Sequence, residues 1–395
     1  MAEGGRIVAG KVVILGAGQA GVQTAASLRE CGYGGGIMLV GDEPHPPYQR
    51  PPLSKAFLKD EITAERLHLK PPAFYADRGI ELVTGCHVGR LDPRERRLEL
   101  TEGGTLAYDH LVLATGTRPR LPKLAGIGLA NVFAIRSIAN VDALRPSLTE
   151  NGRVVIVGGG YIGLEVAAVL RDKGMGVAIV EAEDRLLKRV TSEPVSRFFD
   201  SLHRANGVEI LTRVRVKALV GETRVSGVAL EDGRVVPADV VLLAVGATAN
   251  TELASAAGIA VSDGVLVDIY GRTSAAGIFA CGDCARFPSR RYDRSVRIES
   301  VQNAIDQAKC VAATIAGRPT PHDPVPWFWS DQYRTKLQIA GLSDSRDDVS
   351  IDGEPGSGPF AVEYRRAGRL VAVDAIDNAR AHMLSRGRTG EEPAI

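Results

Sequence analysis

The sequence predicts an α/β protein made of two successive βαβ units followed by a smaller α+β domain, and three observations carry that prediction. Short β-branched runs at 12–15 and 154–157 each end in a Gly-x-Gly-x-x-Gly turn. Each turn leads into a helix-periodic stretch and then into a second apolar run, at 37–40 and 177–180. Beyond His322 the pattern changes to short alternating segments separated by Gly, Asp, Ser and Pro.

In the first unit Gly16 makes the tight turn, Gly18 lets a pyrophosphate approach the backbone, and Gly21 lets helix and strand pack closely, with the helix N-terminus facing the phosphates. Asp42, just past the second strand, is placed for a ribose hydroxyl. The same grammar returns at Gly158, Gly160 and Gly163, with a helix expected over 164–173 and Glu181 after the next strand. One such motif is weak evidence; two copies, each in strand, turn, helix, strand context and each followed by an acid, predict two Rossmann-like dinucleotide sites.

Between and after these units, apolar strands at 111–114 and 240–245 run into Gly116 and Gly246 and read as crossing points between domains. A strand at 277–280 delivers Asp283 at its C-terminal end, where ligands of open α/β sheets bind. A helix is expected over 300–316 and short strands over 337–340, 360–364 and 370–373, with an irregular stretch at 343–359. The last expected helix is 379–386, and the polar end from Ser385 to Pro393 reads as disordered. The expected domains are 1–116, 117–245, 246–322 and 323–395, the first and third being two parts of one dinucleotide domain.

The 395 residues fit about two to three domains. With 48 Lys+Arg against 47 Asp+Glu the formal charge is +1, so no overall field recruits nucleic acid or an anionic membrane. No apolar run approaches the roughly 18 residues of a membrane-spanning helix. Gly is abundant at 44 residues and aromatics are only 5%, which suits tight nucleotide-binding turns better than a helical bundle. Five cysteines, at 31, 86, 281, 284 and 310, suit reduced thiols in the cytoplasm rather than a secreted disulfide framework. The seven histidines form no pair with ligand spacing, so no metal site is expected. Arg6 and Lys11 precede an apolar stretch as in a signal peptide, but Gly16, Gly18 and Gly21 interrupt it.

More specific strings run through the chain: Pro47 to Lys55 with Arg50, Pro51, Pro52, Leu53 and Ser54; Gly160 to Glu165; Gly282 and Asp283; Arg297 to Val301; and Trp327 to Gln332. Together and in this order they resemble the FAD-dependent, NADH-using ferredoxin reductases of bacterial oxygenase systems, the putidaredoxin reductase-like group, over residues 11 to 378. The resemblance implies a glutathione-reductase-like fold, with an NAD domain inserted into a split FAD domain and a C-terminal domain forming the far wall of the flavin. By the same resemblance Gly16, Gly18, Gly21 and Asp42 hold the adenosine diphosphate of FAD, Arg50 its phosphates and Asp283 its ribitol. Val88, Ala114, Thr115, Gly116 and Val301 complete the FAD set, and Trp329 lies near the isoalloxazine unless it is simply a core aromatic. Gly158, Gly160, Tyr161, Ile162, Gly163, Glu181 and Gly246 form the NAD set.

Lys55 and Glu165 are the catalytic pair that the resemblance implies: the lysine approaches flavin N5, pairs with the glutamate, and its charge stabilises a flavin that has accepted a hydride. The alternative is an ordinary surface ion pair. Glu181 accepts from a 2′-hydroxyl and repels a 2′-phosphate, which predicts NADH over NADPH, with Arg185 and Arg189 as the opposing feature.

The resemblance names a two-iron, two-sulfur ferredoxin as the electron acceptor, serving a haem-thiolate monooxygenase or a Rieske oxygenase. Arg286, Arg290, Arg291, Arg294 and Arg297, with Lys309, concentrate positive charge that an acidic ferredoxin would meet, or else form a solvated face. Cys281 and Cys284 match a thioredoxin-like Cys-x-x-Cys, but Gly282 and Asp283 between them already have a flavin-binding role and no cysteine lies near Lys55. Electrons are therefore expected to pass directly from flavin to partner. Competing readings are an NADH oxidase, a quinone or rubredoxin reductase on the same fold, or a redox-sensing flavoprotein similar to apoptosis-inducing factor. Ala249 and Gln302 stand where the resembling sequences carry proline, and the chain ends about 20 to 30 residues early relative to them. A monomer or weak dimer is expected.

Overall fold

The computed structural model describes residues 10–389. Arg6 and residues 390–393 of the expected disordered tail lie outside them. The described residues divide into two compact units, one made of those up to 49 with 67–118 and 248–326, and the other of 50–66, 119–247 and those from 327 onward.

In the first unit a five-stranded parallel sheet has the order Ile278–Ala280, His110–Leu113, Val12–Leu15, Ile37–Val40, Ile80–Val83. Val12 pairs with Ile37 on one side and with His110 on the other. Strands Val12–Leu15 and Ile37–Val40 are buried at every position and so are unbroken apolar runs, as expected for the centre of a parallel sheet. Helices Gln19–Glu30 and Val301–Ile315 pack against each other, and Val22, Ala25, Leu28, Ala308 and Val311 share one buried cluster with Val12, Ile14 and Leu39. Each fully buried Val, Leu or Ile of this kind contributes about 1.5–3 kcal/mol relative to exposure. Two small sheets, one antiparallel and one mixed, complete this unit.

The second unit repeats the plan with a parallel sheet in the order Val208–Leu211, Gly176–Val180, Arg153–Val157, Val240–Leu243, Val132–Phe133. It also holds a five-stranded antiparallel sheet, Trp327–Gln332, Thr335–Gly341, Arg369–Ile376, Phe360–Arg366, Asp348–Asp352, and helix Ala379–Arg388 against it.

Three expectations are corrected. The helix after the second glycine turn is Tyr161–Asp172 rather than 164–173, because Gly160 supplies its N-cap. The irregular stretch at 343–359 contains strand Asp348–Asp352, the exposed edge of its sheet, whose residues all face solvent and so lack the inward alternation that marks a strand. The tail expected to be disordered from Ser385 starts inside helix Ala379–Arg388; Ser385 is buried and its hydroxyl donates to the His382 carbonyl at 2.8 Å.

Candidate active site

The two glycine turns have the same construction. Gly16 and Gly158 adopt φ of +114° and +108°, the left-handed region that glycine enters without a steric cost. A Cβ on Gly21 would stand 1.9 Å from the Gly16 carbonyl oxygen, and one on Gly163 would stand 2.3 Å from that of Gly158. By contrast, Gly18 and Gly160 have no heavy atom within 4 Å of a Cβ position, so the space beside these N-caps is open. Neither helix has a side-chain N-cap. Open space against an uncapped helix N-terminus is what a pyrophosphate requires.

Around the first turn the structure gathers residues far apart in sequence. The Ala114 carbonyl lies under Gly16, so that a Cβ there would meet it at 2.1 Å. Thr115 and Asn250 clamp one another, Oγ1 donating to the Asn250 carbonyl and Asn250 Nδ2 to the Thr115 carbonyl, both at 2.8 Å, while the Asn250 N–H donates to Gly116 at 3.0 Å. Gly282 packs its backbone on Ala20 and donates its N–H to Gln307 Oε1 at 2.7 Å, which brings Asp283 to the same end of the sheet. Asp42 is exposed just beyond strand Ile37–Val40, half-buried Val88 begins a strand, and Val301 opens a helix capped by Ser300. Asn250 and Gln307 carried no motif signal; only the fold brings them here.

At the second turn Glu181 folds back on the glycines, Oε2 accepting the Gly159 N–H at 2.7 Å and Oε1 the Glu183 N–H at 2.8 Å. Arg185 is held by Ser196 Oγ at 2.5 Å and the Lys188 carbonyl at 3.2 Å, whereas the exposed Arg189 lies beside Gly246. Tyr161 packs edge-on against Phe328 at 5.0 Å; its buried hydroxyl has no partner among the described residues and burial raises it well above the usual tyrosine value. Ile162 is exposed at the start of the helix.

In the same unit Lys55 Nζ lies 2.6 Å from Glu165 Oε2. Ser54 Oγ donates to that oxygen at 2.7 Å and Ser330 Oγ to Oε1 at 2.7 Å. The pair is therefore not a surface ion pair: the carboxylate is buried, and three donors satisfy it as burial of a charge demands. Arg50 Nη1 donates to the Arg136 carbonyl at 2.6 Å, and Trp329 is half-buried with its ring 6.0 Å from Trp327.

The cysteine and arginine clusters behave differently from their sequence pattern. Cys281 and Cys284 are free and fully buried; Cys284 Sγ donates to the Leu113 carbonyl at 3.4 Å, and burial pushes the Cys281 thiol up to about 12 and raises Cys284 as well. Thiols kept protonated in this way are poor nucleophiles. Arg297 turns inward, its side chain 10% exposed, bonding Asp263 at 3.1 Å, Glu299 at 2.6 Å and the Asp283 carbonyl at 3.1 Å. Both carboxylates are exposed, so this ion-pair cluster lies at the protein surface. Arg290, Arg294 and Lys309 are exposed and Arg291 is half-buried.

A family profile described as pyridine nucleotide-disulphide oxidoreductase matches residues 10–308. The chain belongs to this family. A second profile, reductase C-terminal, matches residues 327–392. Rhodocoxin reductase of Rhodococcus erythropolis is 43% identical over 376 residues, 95% of this chain and 88% of the relative. The benzene 1,2-dioxygenase system ferredoxin–NAD(+) reductase subunit of Pseudomonas putida is 38% identical over 94% of this chain and 90% of its own. The crystal structure of the covalent putidaredoxin reductase–putidaredoxin complex matches with a TM-score of 0.93 and 41% identity, covering 97% of this chain and 94% of that one. The glutathione-reductase-like fold of this oxidoreductase family is thereby established, and no helix among the described residues is long and apolar enough to cross a membrane.

Proposed function

We propose that the chain takes a hydride from NADH on FAD and passes the electrons to an acidic two-iron, two-sulfur ferredoxin that serves a haem-thiolate monooxygenase or a Rieske oxygenase. The activity class, a flavoprotein ferredoxin reductase using a pyridine nucleotide, follows from the family. The finer choices rest on this chain's own residues.

FAD, when bound, accepts two electrons as a hydride and releases them singly, which matches a one-electron iron–sulfur acceptor. Gly16, Gly18 and Gly21 with Asp42, Arg50, Val88, Ala114, Thr115, Gly116, Asp283, Val301 and Trp329 are its assigned ligands. The FAD domain is assigned to 1–116 and 246–322, the NAD domain to 117–245 and the C-terminal domain to 323–395. Gly158, Gly160, Tyr161, Ile162, Gly163 and Gly246 are assigned to NADH. Glu181, held beside the turn by the Gly159 N–H, presents negative charge where a 2′-phosphate would lie, which supports NADH over NADPH. Lys55 holds a positive charge at the reacting edge and Glu165 orients it. Arg290, Arg291, Arg294, Arg297 and Lys309 are the assigned ferredoxin contacts. Five free thiols fit a cytoplasmic setting.

The observation that carries the reading is the buried Lys55–Glu165 pair, together with a Cys281–Cys284 pair whose thiols are locked away from chemistry. The test is an anaerobic NADH titration of the FAD-loaded protein, followed by transfer to ferredoxin at rising salt. One equivalent of NADH per flavin is expected to bleach it completely, and the ferredoxin-dependent rate is expected to fall steeply with salt. A requirement for two equivalents overturns direct transfer, and a salt-independent rate overturns the basic docking surface.

A further inference from the structure

Glu165 is one end of a chain of buried polar side chains. Ser330 Oγ donates to its Oε1 at 2.7 Å, Gln332 Nε2 donates to Ser330 Oγ at 3.2 Å, and Gln332 Oε1 lies 2.9 Å from His203 Nε2. His203 Nδ1 in turn lies 3.3 Å from the Tyr333 hydroxyl. Ser330 is 1% exposed, and Gln332 and His203 are wholly buried. The chain links helix Glu193–Ala205, strand Trp327–Gln332 and helix Tyr161–Asp172, all in the second unit.

The donor inventory fixes the direction of every hydrogen. The Gln332 NH2 group donates to Ser330, so its oxygen accepts, and His203 Nε2 must carry the proton it accepts. Burial lowers the His203 imidazole below its ordinary value against the opposing pull of the Gln332 bond and Asp200, so the ring is neutral and Nδ1 accepts from Tyr333. Tyr333, His203, Gln332 and Ser330 thus all donate toward Glu165. Hydrogen bonds aligned in one direction polarise one another, and the terminal acceptor, an anion, gains most.

The turn that carries Tyr333 is an independent sign of selection for this contact. Gln332 pairs with Thr335, leaving Tyr333 and Arg334 as a two-residue hairpin connection, and Tyr333 adopts φ of +54°. Asn or Gly normally fills such a position, and a large side chain there is strained. The strained residue is the one whose ring stands 5.2 Å from the imidazole and whose hydroxyl meets it.

We propose that His203 is a positioning residue for the reductase: acting through Gln332 and Ser330, it fixes the Glu165 carboxylate so that its second oxygen faces Lys55. The proposal rests on the reading of Lys55 as the charge at the flavin edge. The charged and titratable groups around the chain are Lys55 and Tyr161 at Glu165, Asp200 at His203, and Asp172 with Arg171 at Tyr333. Loss of the chain frees the carboxylate to rotate and the ammonium to leave its place, so the reduced flavin loses stabilisation while NADH binding does not.

The test measures the midpoint potential of the bound flavin by dye equilibration in the native FAD-loaded protein and in His203→Leu, His203→Gln and Ser330→Ala. His203→Leu and Ser330→Ala are expected to shift the reduction equilibrium about tenfold toward the oxidised form, which is about 30 mV lower for a two-electron couple. NADH affinity is expected to stay within about twofold. His203→Gln, whose amide restores a donor at the Nε2 position, is expected to recover the native potential. A purely structural role for His203 lowers the melting temperature or flavin content and leaves the potential of the remaining flavin native; that result overturns the proposal. If His203→Leu does not fold, Ser330→Ala decides. A native protein that NADH fails to bleach overturns the functional reading and this inference with it, whereas native bleaching with unmoved potentials overturns the positioning role alone.

Discussion

Lys55 Nζ meets Glu165 Oε2 at 2.6 Å, and the carboxylate is the more deeply buried partner, its side chain 6% exposed against 21% for the lysine. The asymmetry decides what removal of each partner does. Lys55→Met leaves a buried anion with only the two serine donors, while Glu165→Gln leaves a cation that reaches water along its own stem. Lys55→Met is therefore expected to destabilise by about 2–3 kcal/mol and Glu165→Gln by less. Both are expected to slow flavin reduction by NADH in rapid mixing, about 100-fold for the lysine and about tenfold for the glutamate. Equal rates in native and Lys55→Met protein would remove the lysine from the chemistry.

The second and third glycines of the first turn separate folding from ligand binding. At Gly18 a methyl group meets nothing within 4 Å, so Gly18→Ala is expected to fold and to lose FAD affinity at least about tenfold by filling the phosphate space. Gly21→Ala places its methyl 1.9 Å from the Gly16 carbonyl and is expected to lose about 3 kcal/mol of stability with or without FAD. Melting curves of the two variants at several FAD concentrations distinguish the cases.

Glu181→Ala removes the carboxylate beside the second turn. The ratio of kcat/KM for NADH over NADPH is expected to fall about tenfold, mostly through KM. An unchanged ratio assigns the discrimination to some other residue.

Cys281 and Cys284 are predicted to be chemically silent. Their buried, protonated thiols should resist iodoacetamide at pH 8 in the native protein and react after denaturation, and Cys281→Ser should accept the same single equivalent of NADH. Mass spectrometry of the alkylated chain reads the first outcome directly.

Asp374 gives stability a pH dependence of known sign. It is fully buried, and desolvation raises its carboxyl to about 7 against the opposing bond from the Tyr364 hydroxyl. The folded protein therefore keeps a proton that the unfolded chain loses near pH 4, so this contribution to stability is complete below about pH 4 and is lost as pH rises to about 7. Relative to native protein, Asp374→Asn is expected to gain about 1.4 kcal/mol for each pH unit across that interval. Urea unfolding at pH 5 and pH 8 checks it; a pH-independent difference means the carboxyl is ionised when folded.

The sequence by itself determined the parts whose physics is local. The two glycine turns, their flanking strands and the acids Asp42 and Glu181 are legible because a phosphate-binding turn needs small residues at fixed spacing within one βαβ unit. The Lys55–Glu165 pairing came from resemblance rather than from spacing, since 110 positions of chain carry no register. The tertiary structure alone decided where long-range polar partners meet: Ser330 reaches Glu165 across 165 residues and His203 reaches Gln332 across 129. It also decided which charges are paired: the fold brings Asp263 to Arg297 from 34 residues away and to Arg286 from 23, while the Cys281–Cys284 motif is disarmed by burial that no pair spacing encodes. Hydrogen bonds and desolvation depend on which surfaces the folded chain presses together, and that is fixed by packing of the whole unit rather than by any short stretch of sequence.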